Sequence, residues 1–249
     1  MNAVAALPTR RDEDWRYADA DWLGAADPVA LAEWREVAVP AGEALRETSH
    51  IVEGGVTRLR IRVGEGARYE HFAINSAGRY ARLELDVTLE EAAHFEFGGV
   101  TIGGGKAVRE FVTRVHHAAG STSNQIVRSV HWGRATGNFL GRIEIPQGSQ
   151  QADAAQNFKA ILLEKGASAN AKPELEILAD DVKAAHGAAI GALDEKAGFY
   201  MAARGIPPEV VRKLLVRAFI ADAFEAVADE AQHDALLEAA LAALSEEAI

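Results

Sequence analysis

The chain has 249 residues, 49% of them apolar and 25% charged, with a formal net charge of −11 at pH 7 and no cysteine. That length supports one sizeable core with appendages. No apolar run approaches the ~20 residues of a membrane span, and the acidic balance disfavours both nucleic acid, which needs a clustered basic surface, and an anionic membrane as partners. Lacking cysteine, the chain alone can build no disulfide framework, thiolate nucleophile or Cys-ligated zinc or iron–sulfur centre, which leaves histidines and carboxylates as its strong metal ligands.

The opening stretch has no long apolar segment and turns acidic by Asp12-Glu13-Asp14, so it does not read as a secretory signal. Residues 1–47 form a helical or irregular zone holding Trp15, Trp22 and Trp34. Within it, Asp27-Pro28 reads as an N-cap followed by proline at the first helical position, which predicts a short helix over Pro28–Val37. The zone closes at Pro40-Ala41-Gly42.

Over residues 48–192 the period changes to two. Leu59, Ile61 and Val63 alternate with arginines, and Leu83, Leu85, Val87 and Leu89 with polar residues. Phe95 and Phe97, then Phe139, Gly141, Ile143 and Ile145, continue the pattern. Such alternation means strands with one buried face. Turn clusters separate them, among them Gly64-Glu65-Gly66, Gly103-Gly104-Gly105 and Pro146-Gln147-Gly148. The strands recur every ~25–30 residues, within the range of solenoid repeats. On periodicity alone, a parallel β-helix and an antiparallel sandwich or barrel both fit.

The last zone, 193–249, reads as helical. Asp194 is a candidate N-cap, Gly205 a C′ glycine and Pro207-Pro208 a restart. Val211, Leu214, Leu215, Ala218 and Phe219 then form a stripe at helical spacing, and Ala231–Leu244 is a second amphipathic segment.

Motifs for catalysis are missing. Gly103-Gly104-Gly105-Lys106 fails as a phosphate loop, because Ala107 stands where Ser or Thr is required and Val100 where the first glycine belongs. Ser121 and Ser123 lie near His116 without a mark of activation. His71, His94, His116, His117 and His131 share the β zone, which keeps a cupin-like, histidine-ligated metalloenzyme as the alternative reading. His116 and His117 are adjacent, however, and on a strand would point to opposite faces. Carboxylate pairs such as Glu90-Glu91, Asp180-Asp181 and Glu246-Glu247 read as solvated faces or helix ends.

Four stretches, in order, resemble the SufB/SufD family of iron–sulfur cluster assembly proteins. Leu7-Pro8-Thr9-Arg10-Arg11-Asp12-Glu13-Asp14-Trp15-Arg16-Tyr17 resembles its N-terminal signature, and Pro173 to Lys183 its P-x-L-E-I-x-A-D-D-V-K segment. Ala184-Ala185-His186-Gly187-Ala188-Ala189-Ile190-Gly191 is similar to its C-S-H-G-A-T motif, and Phe199 to Ile206 to its F-Y-x-x-x-R-G stretch. The resemblance implies a right-handed parallel β-helix core with a short N-terminal helical segment and a C-terminal helical domain, in a non-catalytic cytoplasmic scaffold. It also implies two partners, a SufB-type subunit and the ATPase SufC. SufB-type chains are expected to carry the cysteine that holds sulfur or the nascent cluster, and this chain has none, so the SufD-type branch fits. Ala184 stands where many members have cysteine.

The resemblance further implies roles for residues. His186 would lie at the SufB–SufD interface as a transient iron–sulfur ligand. Arg204, Arg212, Lys213, Leu214, Leu215, Arg217 and Phe219, in the Arg204–Val227 region, would dock SufC. Glu176, Ile177, Ala179 and Asp181 would face SufB. No cofactor is expected to bind stably: the cluster is transient at the interface, and ATP enters through SufC only. Open strand edges would also let the chain pair with itself when SufB is absent.

Overall fold

The alternating segments form twelve strands in the computed structural model of the protein, which describes residues 7–244 and leaves the Glu246-Glu247 pair outside them. One sheet holds β1 (Arg35–Val39), β3 (Gly55–Val63), β5 (Tyr80–Leu89), β7 (Val108–His116), β9 (Thr136–Ile145) and β11 (Ser168–Ile177), in that order. The other holds β2 (Ala44–Ile51), β4 (Arg68–Asn75), β6 (His94–Gly103), β8 (Thr122–His131), β10 (Asp153–Leu162) and β12 (Lys183–Gly191). Every pairing is parallel. Successive strands alternate between the sheets, so the chain coils as a β-helix of two strands per turn. The antiparallel alternatives are thereby removed.

The core is the lumen. Leu83 pairs in register with Phe111, Phe111 with Phe139 and Phe139 with Ala171, so one column of inward positions runs through successive turns. Phe95, Phe97, Phe111, Phe139 and Phe158 are buried there with Leu59, Ile61, Leu85 and Val87. Phe97 meets Phe111 edge-on at 5.4 Å, and Phe139 stacks on Phe158 at 5.9 Å. Burial of each such ring is worth about 1.5–3 kcal/mol, and no turn of the coil could achieve it without its neighbours. The repeat lengthens along the chain, from the 24 residues between Glu36 and Arg60 to the 32 between Thr136 and Ser168.

Helical layers cover the outer faces of the coil. On one side a 3-10 turn (Glu13–Trp15), α1 (Ala20–Ala25) and α2 (Pro28–Ala32) pack Trp15, Leu23 and Leu31 around Tyr80. Arg82, fully buried, lies 4.0 Å over the Trp15 ring and pairs with Glu84 and Glu110. On the other side α4 (Pro208–Ala221) and α5 (Glu230–Ala242), with a 3-10 turn (Asp222–Phe224) between them, bury Val216, Ile220, Phe224 and Leu237 against Phe72, Ile74, Val100 and Val130. Gly98 admits this layer, because a Cβ there would sit 2.0 Å from the Ala223 carbonyl oxygen. A further helix, α3 (Glu195–Ala202), joins the coil to α4.

Several boundaries differ from the sequence expectation. Asp27 does cap α2, accepting from the Val29 amide at 2.9 Å, but the helix stops at Ala32 instead of Val37. Val37 and Val39 pair with Ile61 and Val63 as the first strand, and joining that sheet prevails over extending a short helix. Strands therefore begin inside the 1–47 zone. Asp194 caps α3 through the Lys196 and Ala197 amides, and Gly205 takes φ +83°, as expected. Gly105-Lys106 is a turn between β6 and β7.

Candidate functional site

The coil ends on two strands that each have a neighbour on one side only: β11 beside β9, and β12 beside β10. β12 is exposed along most of its length, and His186 sits at its middle, itself exposed. Its register partner is Gln156, whose own partner in the preceding turn is Gln125. Both glutamines are buried lumen residues. Phe158 and Ala188, two positions on, are likewise paired. His186 therefore occupies an inward column at the last turn, where no further turn covers it. A side chain placed there looks out of the end of the lumen.

The neighbouring expectations divide. Glu176 and Ile177 close β11 and are exposed, as is Asp181, whose amide donates to Gln150 Oε1 at 2.8 Å. Ala179 is buried with Ile143, Ile145, Ala152 and Ala154. Leu178 and Ile190, 63% and 46% exposed, are with Ile177 apolar groups presented at this end.

The helical residues also divide. Leu214 and Val210 are exposed on α4, and a separate groove of about 290 Å³ is lined by Phe199, 78% exposed, and Leu193. Leu215 lines this groove with Val211 and Ala202. Lys213 is exposed and Arg212 half-buried. Arg204 folds back over the Tyr200 ring at 3.3 Å and donates to the Tyr200 carbonyl oxygen. Arg217 is paired with Glu238 of α5. Phe219 is half-buried, packing partly against the coil with its ring 5.9 Å from the Arg128 guanidinium. The inner face of α4 is Val216 and Ile220, which the proposed stripe omitted.

Residues 53–219, about two-thirds of the chain, match the family model described as "SUF system FeS cluster assembly, SufBD core domain". The chain belongs to the SufB/SufD family. It is 33% identical over 175 residues to an iron–sulfur cluster assembly SufBD family protein of Synechocystis, covering 69% of this chain and 38% of that one. It is 33% identical to iron–sulfur cluster assembly protein SufD of Escherichia coli over 46% of this chain and 27% of the relative. With SufD of Bacillus subtilis the identity is 32% over 49% and 28%. These relatives place the chain on the SufD-type side of the family, and it spans well under two-thirds of their length.

The histidines of this SufB/SufD coil are dispersed. Among the described residues no three His, Asp or Glu side chains gather as a metal site. His71 is bonded to Tyr69 and Ser49, His131 to Thr101 and the Gly103 carbonyl oxygen, and His117 to Ser121 and Ser123 at 2.8 and 2.9 Å. Burial pushes His71 and His117 down to about 4 and His131 to about 3. His116 points outward between Asp86 and Glu144, and its hydrogen bond with Asp86 raises it. Sequence reasoning missed the Gln125–Gln156–His186 column. The three positions stand 31 and 30 residues apart, and strand register brings them together.

Proposed function

We propose that the chain is a non-catalytic scaffold subunit for iron–sulfur cluster assembly, pairing its last turn with a SufB-type subunit and docking the ATPase SufC through its C-terminal helices. The observation that carries this reading is the one-sided β12 with His186 exposed on its inward column. An unpaired edge is a template for a second chain's strand, and a partner added there would cover the end of the lumen and enclose His186. Neutral imidazole binds iron and can stand beside thiolates in a cluster's ligand set. This chain has no cysteine, so the thiolates would come from SufB, and the cluster is cargo shared between the two subunits.

The groove between α3 and α4 supports the second contact. Phe199, Val211 and Leu215 line its apolar face beside Arg212, and Leu214 and Lys213 are exposed on the same helix, a surface that suits a partner with an acidic rim. ATP would be bound by SufC. Closure of two SufC subunits would then pull on the helical layers of both scaffold chains and shift the interface, a rigid-body switch.

The experiment is co-purification with SufB and SufC for wild type and His186→Ala, followed by anaerobic cluster reconstitution. Assembly of both complexes with cluster maturation lost only in the variant supports the proposal. Failure of wild type to bind either partner would overturn it.

A further inference from the structure

Four residues on the outer face of the sheet that ends in β11 stand in one register column: Arg82 on β5, Glu110 on β7, Asn138 on β9 and Asn170 on β11. The first three are buried, and Asn170 is half-buried at the open edge. Glu110 pairs with Arg82 and accepts from the Tyr80 hydroxyl, so it offers Asn138 only acceptor atoms.

The Asn138 side chain therefore has one orientation. Its Nδ2 donates to Glu110 Oε1 at 2.9 Å and to the Tyr17 carbonyl oxygen at 3.2 Å, and a turned amide would set its oxygen against both. Its Oδ1 accepts from Asn170 Nδ2 at 2.8 Å. The direction is passed along the column. With its nitrogen committed to β9, Asn170 keeps Oδ1 without a donor among the described residues, in a strand whose other side has no neighbour.

Six residues further along the outer face of β11 lies a second acceptor in need of a partner. Glu176 is in register with Glu144. Glu144 takes His116 and Arg142, and Glu174 takes Arg142 and Lys172. Glu176 is exposed and joins no ion pair among the described residues. Two carboxylates in register on adjacent strands repel, and a cation on the next strand would relieve them.

We infer that the strand of the SufB-type subunit that adds to β11 carries two marks on its outer face: a hydrogen-bond donor side chain in register with Asn170 and a lysine or arginine in register with Glu176. This rests on the proposed pairing of the last turn with that subunit and gives the pairing its selectivity. Two copies of this chain meeting at β11 would instead set acceptors against acceptors, whether Asn170 meets Asn170 or Glu176.

The test is binding of the full chain to the SufB-type subunit of its own organism, read as Kd by titration calorimetry, with melting curves to check that each variant is folded. Glu176→Lys should weaken binding about tenfold and Asn170→Leu about threefold. Glu176→Gln should flatten the salt dependence of Kd. If Asn170→Leu does not fold, a structure of the wild-type complex decides its position. A donor side chain within hydrogen-bond distance of Asn170 Oδ1 supports the inference, and an apolar or acceptor side chain there, or no strand beside β11, overturns it. Equal binding by wild type and Glu176→Lys overturns the inference and leaves the proposed function standing. A wild type that does not bind the subunit overturns both.

Discussion

His186 is in register with Gln156, one turn further along the same inward column, yet Gln156 is 2% exposed and His186 is open to solvent. The same position is structural in one turn and accessible in the next. His186→Ala should therefore change unfolding free energy by less than about 0.5 kcal/mol, as for surface substitutions. Gln156→Ala should cost about 2 kcal/mol, through the cavity it leaves and the lost hydrogen bond to the Glu174 carbonyl oxygen. Urea unfolding of both variants checks this. A large loss in His186→Ala would assign the histidine to holding the fold.

The open end should be visible in amide exchange. β12 has a pairing partner on one side only, whereas β6 lies between β4 and β8. Exchange from outward-facing β12 amides should be fast, with protection growing toward β6, whose opening approaches global unfolding. Adding a SufB-type partner should slow β12 selectively. Uniform protection of β12 in the isolated chain would show that its edge is already covered.

The lumen was legible because alternation fixes which side chains of a strand face inward: Leu83, Leu85, Phe95, Phe97 and Phe139 all do. Helix ends were legible where one side chain decides them, as at Asp27 and Asp194. What alternation cannot carry is register from one turn to the next, which is why Gln125, Gln156 and His186 did not emerge as one column. Nor does it separate the two sides of a helix that packs on both. Helical spacing linked Leu214 with Phe219, but the coil takes Val216, Ile220 and Phe219 and leaves Leu214 outside. The residues around His186 were found through family resemblance, since an exposed histidine between alanine and glycine carries no physical signal of its own.

Acid should loosen the coil before its carboxylates titrate. His71, His117 and His131 are buried with values drawn down to about 4, 4 and 3, so the unfolded chain binds protons that the folded chain refuses. Their stabilisation is complete above the ordinary histidine value and falls as pH drops from about 6.5, by on the order of 1 kcal/mol per histidine per pH unit. Glu47, held near 2 chiefly by its hydrogen bond with Arg35, acts only below the ordinary carboxylate value, so the window from pH 6.5 to 5 belongs to the histidines. His116 runs the other way: its raised value gives a contribution present below 6.5 and lost as pH rises through the folded value. His117→Gln should reduce the slope of stability between pH 5 and 6.5 by about a third. An unchanged slope would show that His117 is not held neutral.

Arg128 and Asp222 join the coil to its C-terminal layer. Arg128 projects from the outer face of β8, donates through Nε to Asp222 Oδ2 at 2.8 Å and also donates to the Val127 and Asn157 carbonyl oxygens. Asp222 begins the turn after α4, so one ion pair fixes the end of that helix over the sheet. Removing the carboxylate strands a guanidinium that is 97% covered; a fully buried pair broken this way costs about 3–5 kcal/mol, and the partial exposure of Asp222 should reduce this to about 2. Asp222→Ala should therefore lower stability and raise amide exchange in α4 more than in the lumen strands. Arg128→Met, which removes the charge and keeps an apolar stem beneath Phe219, should cost less. If both substitutions cost the same, the loss reflects the bond itself and not a stranded charge.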